Sequence, residues 1–375
     1  MSNVTGLRAT GVNGIVLTYA KEAAAASPDN LARKLTHDDA DLSNWVDSNL
    51  QTIEMLEAGD YIALRITGAG PASCDMLERY TKACTTDSGT LDSGNSIEAS
   101  IKQEHSILED SMRQLCAKAY SKGVRILIDA EGSRYQRAID QISLDLMPEF
   151  NTNRDGRATI LNTYQLYLKS NIEKIKRHLQ HSVRHNYLLG LKLVRGAYMY
   201  VEPNRDIIHD TKQGTDDAYD AAVKYLLSAR ADGPVENGNW NADIVLATHN
   251  TPSVQKALRQ YMSNANTRER IRGLGFAQLM GMADELSLSL AAQLRQTENI
   301  STKEQSTTST QDPKSLNAKI PEIGVYKYTV WGTLSDCLLY MLRRAEENSD
   351  AAGRSRATVL EVLKELTRRI VFLGR

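Results

Sequence analysis

The sequence predicts a closed barrel of eight alternating strands and helices, a (β/α)8 fold, and three observations carry that expectation. Eight short β-rich runs recur from end to end, each apolar on both faces, as parallel strands covered on both sides are. Segments with helical spacing lie between them and supply the crossovers that parallel strands need. The chain has 375 residues, long for one ordinary domain but suited to a barrel, which commonly runs past about 250. An open doubly wound sheet is the alternative that the same alternation permits.

In chain order the strand runs are GIVLTYA from Gly14, YIALRIT from Tyr61, VRILIDA from Val124 and TILNTY from Thr159. GLKLVRGAY from Gly190, ADIVLATHN from Ala242, GLGFAQL from Gly273 and GVYKYTV from Gly324 complete the set. Among the helical segments, SIEASIKQEHSILEDSMRQLCAKAYSKG keeps an apolar stripe through Ile97, Ile101, Ile107, Leu108, Met112, Leu115 and Cys116 until Gly123 stops it. Two stretches, 85–96 and 299–319, are rich in Ser, Thr, Gly and charge and have almost nothing to bury. They are expected to be flexible insertions on the surface of a single domain spanning 1–375.

Composition narrows the function classes. Apolar residues make up 41% and charged residues 24%, with a net charge of −1, the profile of a globular protein. No basic stripe with interleaved aromatics stands out, so no nucleic-acid partner is expected. No run of about 18 apolar residues exists to cross a membrane. The N-terminus, MSNVTGLRATGVNG, has the character of neither a secretory signal nor a mitochondrial import signal. Cys74, Cys84, Cys116 and Cys337 lack C-x-x-C spacing and read as free thiols in a reducing compartment. Nucleophile elbow, P-loop and G-x-G-x-x-G fingerprints are all missing, which leaves serine hydrolysis and Rossmann-type binding without support. GAGPAS after Thr67 reads as a turn into the next helix.

A (β/α)8 barrel works at the C-terminal ends of its strands, and here those ends carry a polar ring. The second run has Arg65, the third Asp129 with Glu131, and the fourth Asn162 with Gln165. The fifth ends in Arg195, Gly196, Ala197 and Tyr198, the sixth in Thr248, His249 and Asn250, the seventh in Gln278 and the eighth in Tyr328. Lys192 interrupts an apolar strand, and a buried lysine needs a partner. Two readings stand: an inward lysine paired with a barrel carboxylate, or a cation beside a bound anion or an electron-rich ring. Gly196, without a Cβ, would let a ligand approach the backbone. His249 reads equally as a ligand contact and as a structural residue.

His178, His181 and His185 share one helix face, yet Lys174, Lys176, Arg177 and Arg184 around them oppose a divalent cation. That face is expected to be basic and solvated, and no metal site is expected. On the helix after the eighth strand, LLYMLRRAEEN sets Tyr340, Arg343, Arg344 and Glu347 on one face. Two planar guanidiniums beside a ring suit a small carboxylate. Arg368 and Arg369, in ELTRRIVFLGR, follow no recognisable strand and lack such company.

Seven motifs in order, VRILIDAEGSRYQ, NTYQLYLK, LKLVRGAYMYVEP, LATHN, FAQLMGMADELS, KYTVWG and YMLRRAEENS, resemble proline dehydrogenase of the eukaryotic type. The insertions resemble those of its fungal branch. The resemblance implies FAD over the C-terminal ends of the strands. It implies oxidation of L-proline to pyrroline-5-carboxylate by hydride transfer to flavin N5, the first step of proline breakdown to glutamate.

By motif position, Asp129, Arg65 and Tyr198 are implied at the reacting centre, with Asp129 and the second-strand cation near the substrate amine. Arg343 and Arg344 would bind the proline carboxylate, and Tyr328, Tyr340 and Leu279 would join Tyr198 in walling the ring. Asn162, Gln165, Lys192, Arg195, Gly196, Thr248, His249, Gln278 and Glu347 are implied on the cofactor side. A quinone acceptor, peripheral membrane association and the matrix side of the inner mitochondrial membrane are implied as well. Because the amine must be neutral to donate its lone pair, activity is expected to rise with pH. Two positions depart from the family pattern: Arg65 stands where lysine is usual, and Val330 where proline is frequent. The competing readings are a hydroxyproline-oxidising relative, a flavin-free binding barrel and methylenetetrahydrofolate reductase.

Overall fold

The strand runs are apolar on both faces because each lies between a packed interior and a layer of helices, which is the environment of a parallel barrel strand. In the computed structural model they form one closed barrel in the order β1-β2-β3-β4-β5-β6-β7-β8. The strands are β1 Gly14–Tyr19, β2 Tyr61–Leu64, β3 Arg125–Ile128, β4 Ile160–Gln165, β5 Leu189–Val194, β6 Ala242–Ala247, β7 Ile271–Leu279 and β8 Glu322–Trp331. The named strands pair in parallel, and the Asn13 N–H donating to the Val325 carbonyl at 2.9 Å ties the start of the barrel to its last strand. The open sheet is thereby excluded.

The helices are α1 Ser2–Ala9, α2 Asp39–Met55, α3 Pro71–Thr85, α4 Ala99–Lys122, α5 Ser133–Phe150, α6 Asn171–Arg184, α7 Lys212–Leu227, α8 Thr251–Ser263, α9 Ala265–Arg270, α10 Asp284–Thr307 and α11 Leu334–Glu347. The structure describes residues 2–20, 39–85, 98–152, 156–200, 202–228, 240–307 and 322–347. It divides into two compact units, Met1–Tyr19 with Ala23–Val330, and Ala20–Glu22 with Trp331–Arg375. The barrel belongs to the first and α11 to the second.

Glycines taken as strand starts in β7 and β8 lie inside those strands, which begin at Ile271 and Glu322. The reason is the barrel interior. A Cβ on Gly273 would stand 2.2 Å from the Arg157 guanidinium, and one on Gly324 would stand 2.6 Å from the Tyr326 ring. Large side chains fill the space those glycines vacate. Above them, Val16, Ala63, Leu127, Leu161, Val245 and Ala277 form the apolar waist.

α4 ends at Gly123, whose φ of 70° is left-handed, as glycine readily adopts. Its buried stripe includes Ile101, Leu108, Met112, Leu115 and Cys116, but Ile107 is 51% exposed and is replaced on the inner face by His105. A spacing of four from Ile101 reaches His105, and period alone could not tell which neighbour of Leu108 points inward. Ile97 lies outside the described residues, as do 86–96 of the first Ser/Thr-rich stretch and 308–319 of the second. Residues 299–307 continue the backbone of α10.

Candidate active site

Strand alternation sends Arg65, Asp129, Lys192 and Tyr328 to the C-terminal mouth on the same inward face as the waist. The Lys192 ammonium donates to Asp129 Oδ1 at 2.6 Å. Arg65 Nε donates to Asp129 Oδ2 at 3.5 Å, and the Tyr328 hydroxyl reaches the same oxygen at 3.5 Å. The Lys192 ammonium also lies 5.8 Å from the centroid of the Tyr328 ring. Four strands therefore converge on one carboxylate, and Lys192 pairs with a barrel acid, the first of its two readings; the ring beside it, Tyr328, is the chain's own. Two cations against the one Asp129 carboxylate leave this group net positive, a setting that favours an anionic ligand and opposes a third cation.

Behind Asp129, the buried Glu131 ties the second and third strand ends together. It accepts from the Thr67 N–H at 3.0 Å and from the Thr67 hydroxyl, while burial pushes its carboxyl pKa up against those bonds. Gln165 donates to the Glu131 carbonyl at 3.0 Å and accepts from the Ala197 N–H at 3.4 Å. Gly196 has φ 130°, and a Cβ there would stand 2.0 Å from the Tyr167 ring, so this chain's own packing demands glycine. Tyr198 packs with Tyr167, Leu168 and Ile208. Glu202 fixes that loop by accepting from the Ser133 hydroxyl and, at 3.3 Å, from the Tyr167 hydroxyl.

Other site candidates turn away from the interior. Asn162 donates to Asp140 Oδ1 of α5 at 2.8 Å, among Lys174 and His178 of α6. Burial resists ionisation of Asp140, but the Lys174 charge and the hydrogen bonds from Lys174 and Asn162 outweigh it and hold that carboxyl below its ordinary range. His178 is buried and shares a 2.7 Å hydrogen bond with Tyr164, and burial lowers its pKa to about 3. The solvated histidine face is thus corrected at His178, because the first of the three histidines of that face packs toward Tyr164 of β4 rather than water.

Arg195 lies 4.4 Å over the Tyr219 ring and uses three of its five N–H donors on Asp216, Thr248 Oγ1 at 2.8 Å and Ser253 Oγ at 3.0 Å. Gln278 donates to the Thr248 carbonyl at 3.3 Å and accepts from Ser287 of α10. His249 Nε2 accepts the Leu279 N–H at 3.0 Å, which makes it the Nδ1-protonated tautomer. The β7–β8 register sets Leu279 opposite Tyr328 at the mouth. Lys327 escaped sequence reasoning, although it interrupts an apolar strand as Lys192 does.

In the second unit, one helix carries Tyr340, Arg343, Arg344 and Glu347, and the Arg344 guanidinium lies 5.2 Å from the Tyr340 ring centroid. The side chains of Arg343 and Glu347 lie outside the described residues, as do Arg368 and Arg369. Among the described residues no helix is long and apolar enough to cross a membrane.

The family model for proline dehydrogenase matches residues 9–357. A probable mitochondrial proline dehydrogenase of Schizosaccharomyces pombe is 32% identical over 270 residues, covering 68% of this chain and 49% of that protein. Mitochondrial proline dehydrogenase 1 of Homo sapiens is 30% identical over 266 residues, 68% of this chain and 38% of that protein. The chain therefore spans about half the length of the first relative and less of the second. Among solved structures, proline utilization A of Bdellovibrio bacteriovorus aligns with a TM-score of 0.62 at 13% identity, over 92% of this chain and 30% of that one. At that identity the likeness is one of fold.

Proposed function

The chain belongs to the proline dehydrogenase family, and from that premise we propose that it oxidises L-proline to pyrroline-5-carboxylate with FAD as its cofactor. The observation that carries this reading is Asp129, held between Lys192 and Arg65 at the barrel mouth with Tyr328 beside it. The donors there fit a flavin. Lys192 gives Asp129 one of its three N–H bonds and so retains donor capacity next to the apolar wall of Ala247 and Tyr328. A flat apolar body edged with acceptor atoms requires that combination.

FAD, when bound, supplies the acceptor for the hydride leaving the carbon beside the proline nitrogen. The chain supplies position and charge. Leu279 and Tyr328, paired across β7 and β8, wall the pyrrolidine ring, a role that motif position also gives to Tyr198 and Tyr340. Arg343 and Arg344 bind the substrate carboxylate, which fixes the far end of the molecule. Lys192, Gly196, Gln165, His249 and the two remaining donors of Arg195 face the cofactor, and motif position assigns Glu347 to it as well. Asn162, Thr248 and Gln278 brace the strands that carry those contacts. Arg65 and Lys192 around Asp129 disfavour a third cation, so the mouth selects proline with a neutral amine, whose lone pair drives hydride departure. Turnover is accordingly expected to rise with pH, read from initial rates across a buffer series at saturating proline.

Residues 1–375 act as one catalytic domain. Membership of the fungal branch is supported by the fission yeast relative, and a mitochondrial location by the names of the relatives. A quinone acceptor and peripheral attachment to the inner membrane follow from the same reading. The test is bleaching of bound flavin by L-proline without oxygen. Bleaching is expected in the parent, and Arg343→Ala should raise the half-saturating proline concentration about 10- to 100-fold, the loss of one charge-assisted contact. No bleaching by proline, with rapid bleaching by hydroxyproline, would move the assignment to the latter substrate.

A further inference from the structure

One fully buried cation takes no part in the chemistry above. Lys327 lies on β8 and is 2% exposed. Its neighbour Tyr328 faces the interior, so alternation turns Lys327 outward beneath the start of α10. An ammonium there is disfavoured twice, by burial and by the positive end of a helix. What it gains is three bonds for its three donors: Asp284 Oδ1 at 2.6 Å, Ser287 Oγ at 2.9 Å and the Leu279 carbonyl at 3.3 Å.

Those acceptors sit at the two ends of one turn. Leu279 closes β7, whereas Asp284 and Ser287 open α10. Within the turn, Asp284 Oδ1 also accepts the Gly281 N–H at 3.2 Å, the Leu279 carbonyl accepts the Met282 N–H at 3.3 Å, and the Met280 N–H donates to the Tyr328 carbonyl at 2.9 Å. Leu279 is gripped at both polar atoms of its main chain, its N–H by His249 and its carbonyl by Lys327. A side chain standing on a strand end is free to shift with its turn unless something fixes that turn, and here Lys327 closes it like a clasp.

We propose that Lys327 is a positioning residue that sets substrate-ring discrimination by fixing Leu279 beside Tyr328. The proposal rests on the reading of the mouth as a proline site. It predicts a ground-state binding effect, since Leu279 contacts the ring and not the reacting atoms.

The test compares Lys327→Met with the parent, the half-exposed Asp284 being left to solvent. Flavin content and turnover at saturating proline should stay within about twofold, while KM for L-proline rises about tenfold. The kcat/KM preference for L-proline over 4-hydroxyproline should fall about fivefold. Hydrogen exchange at Gly281 and Met282 should quicken about tenfold with the amides of β3 and β4 unchanged. Ser287→Ala, which keeps the ion pair and removes the hydroxyl that joins Lys327 to Gln278, should give the same changes in smaller measure and serves if Lys327→Met fails to fold. Exchange needs no substrate, so it decides the clasp even where the proline reading fails. Unchanged exchange in the turn, or unchanged ring preference with proline still oxidised, overturns the proposal.

Discussion

Asp129→Ala is expected to lower folding stability by about 3–5 kcal/mol and turnover with proline by at least about a hundredfold. The stability loss follows from what is left behind. Lys192 has a side chain 8% exposed and reaches Asp129 at 2.6 Å, so removing the carboxylate strands a buried ammonium. Arg65 at 3.5 Å is less affected, because its side chain retains more contact with solvent. The turnover loss follows from geometry: Arg65, Lys192 and Tyr328 are aligned through this one carboxylate, and a displacement of about 1 Å at a reacting centre is enough for that factor. Urea unfolding and steady-state rates measure the two effects. Adding Lys192→Met should recover much of the stability, since the uncompensated charge is gone, and none of the activity. An Asp129→Ala protein that unfolds at the parent's urea midpoint would mean that the pair is open to water and that the mouth is not the dry, charged site described.

The fold was legible because a buried parallel strand writes an apolar signature on both faces, and each of the eight runs corresponds to a barrel strand. What that signature hides is which face is which. Asn162 is a polar residue within an apolar run and invites a place at the mouth, but its neighbours Leu161 and Thr163 share the inward parity, and it binds Asp140 outside the barrel. Arg195 and Gln278 turn outward from β5 and β7 by the same rule. Lys192 was legible as an exception, a charge within an apolar run, yet only three dimensions could supply its partner from a strand 63 positions away in sequence. Lys327 carried the same signal and was passed over, since its partners belong to the turn and helix that follow β7. The helical face of Tyr340 and Arg344 was readable from spacing alone, because i and i+4 meet on any helix.

At the opposite end of the barrel, Arg157→Met is expected to cost about 3–5 kcal/mol as well, lowering the melting temperature by roughly 5 °C while KM for proline stays unchanged. Arg157 grips Asp243 with both sides of its fork, Nε to Oδ2 at 2.5 Å and Nη2 to Oδ1 at 3.1 Å, and Asp243 is 0% exposed. Tyr61 accepts from Arg125 at 3.0 Å and from Arg157 at 3.4 Å and packs edge-on against Tyr326, so this layer floors the interior below the waist. Losing the guanidinium leaves Asp243 buried with the Ala158 N–H at 3.1 Å as its remaining bond of this group. Adding Asp243→Asn should restore part of the loss by discharging the acid. Gly273 gives a sharper check. Its Cβ would stand 2.2 Å from a guanidinium pinned by two hydrogen bonds, so Gly273→Ala should destabilise the parent. In the Arg157→Met background that methyl meets no pinned group and fills vacated space, so the same substitution should become neutral or stabilising. The sign reversal, read from melting temperatures of the four proteins in the cycle, tests whether the glycine is there for the arginine. A Gly273→Ala effect of equal size in both backgrounds would show that the strand wants glycine for its backbone alone.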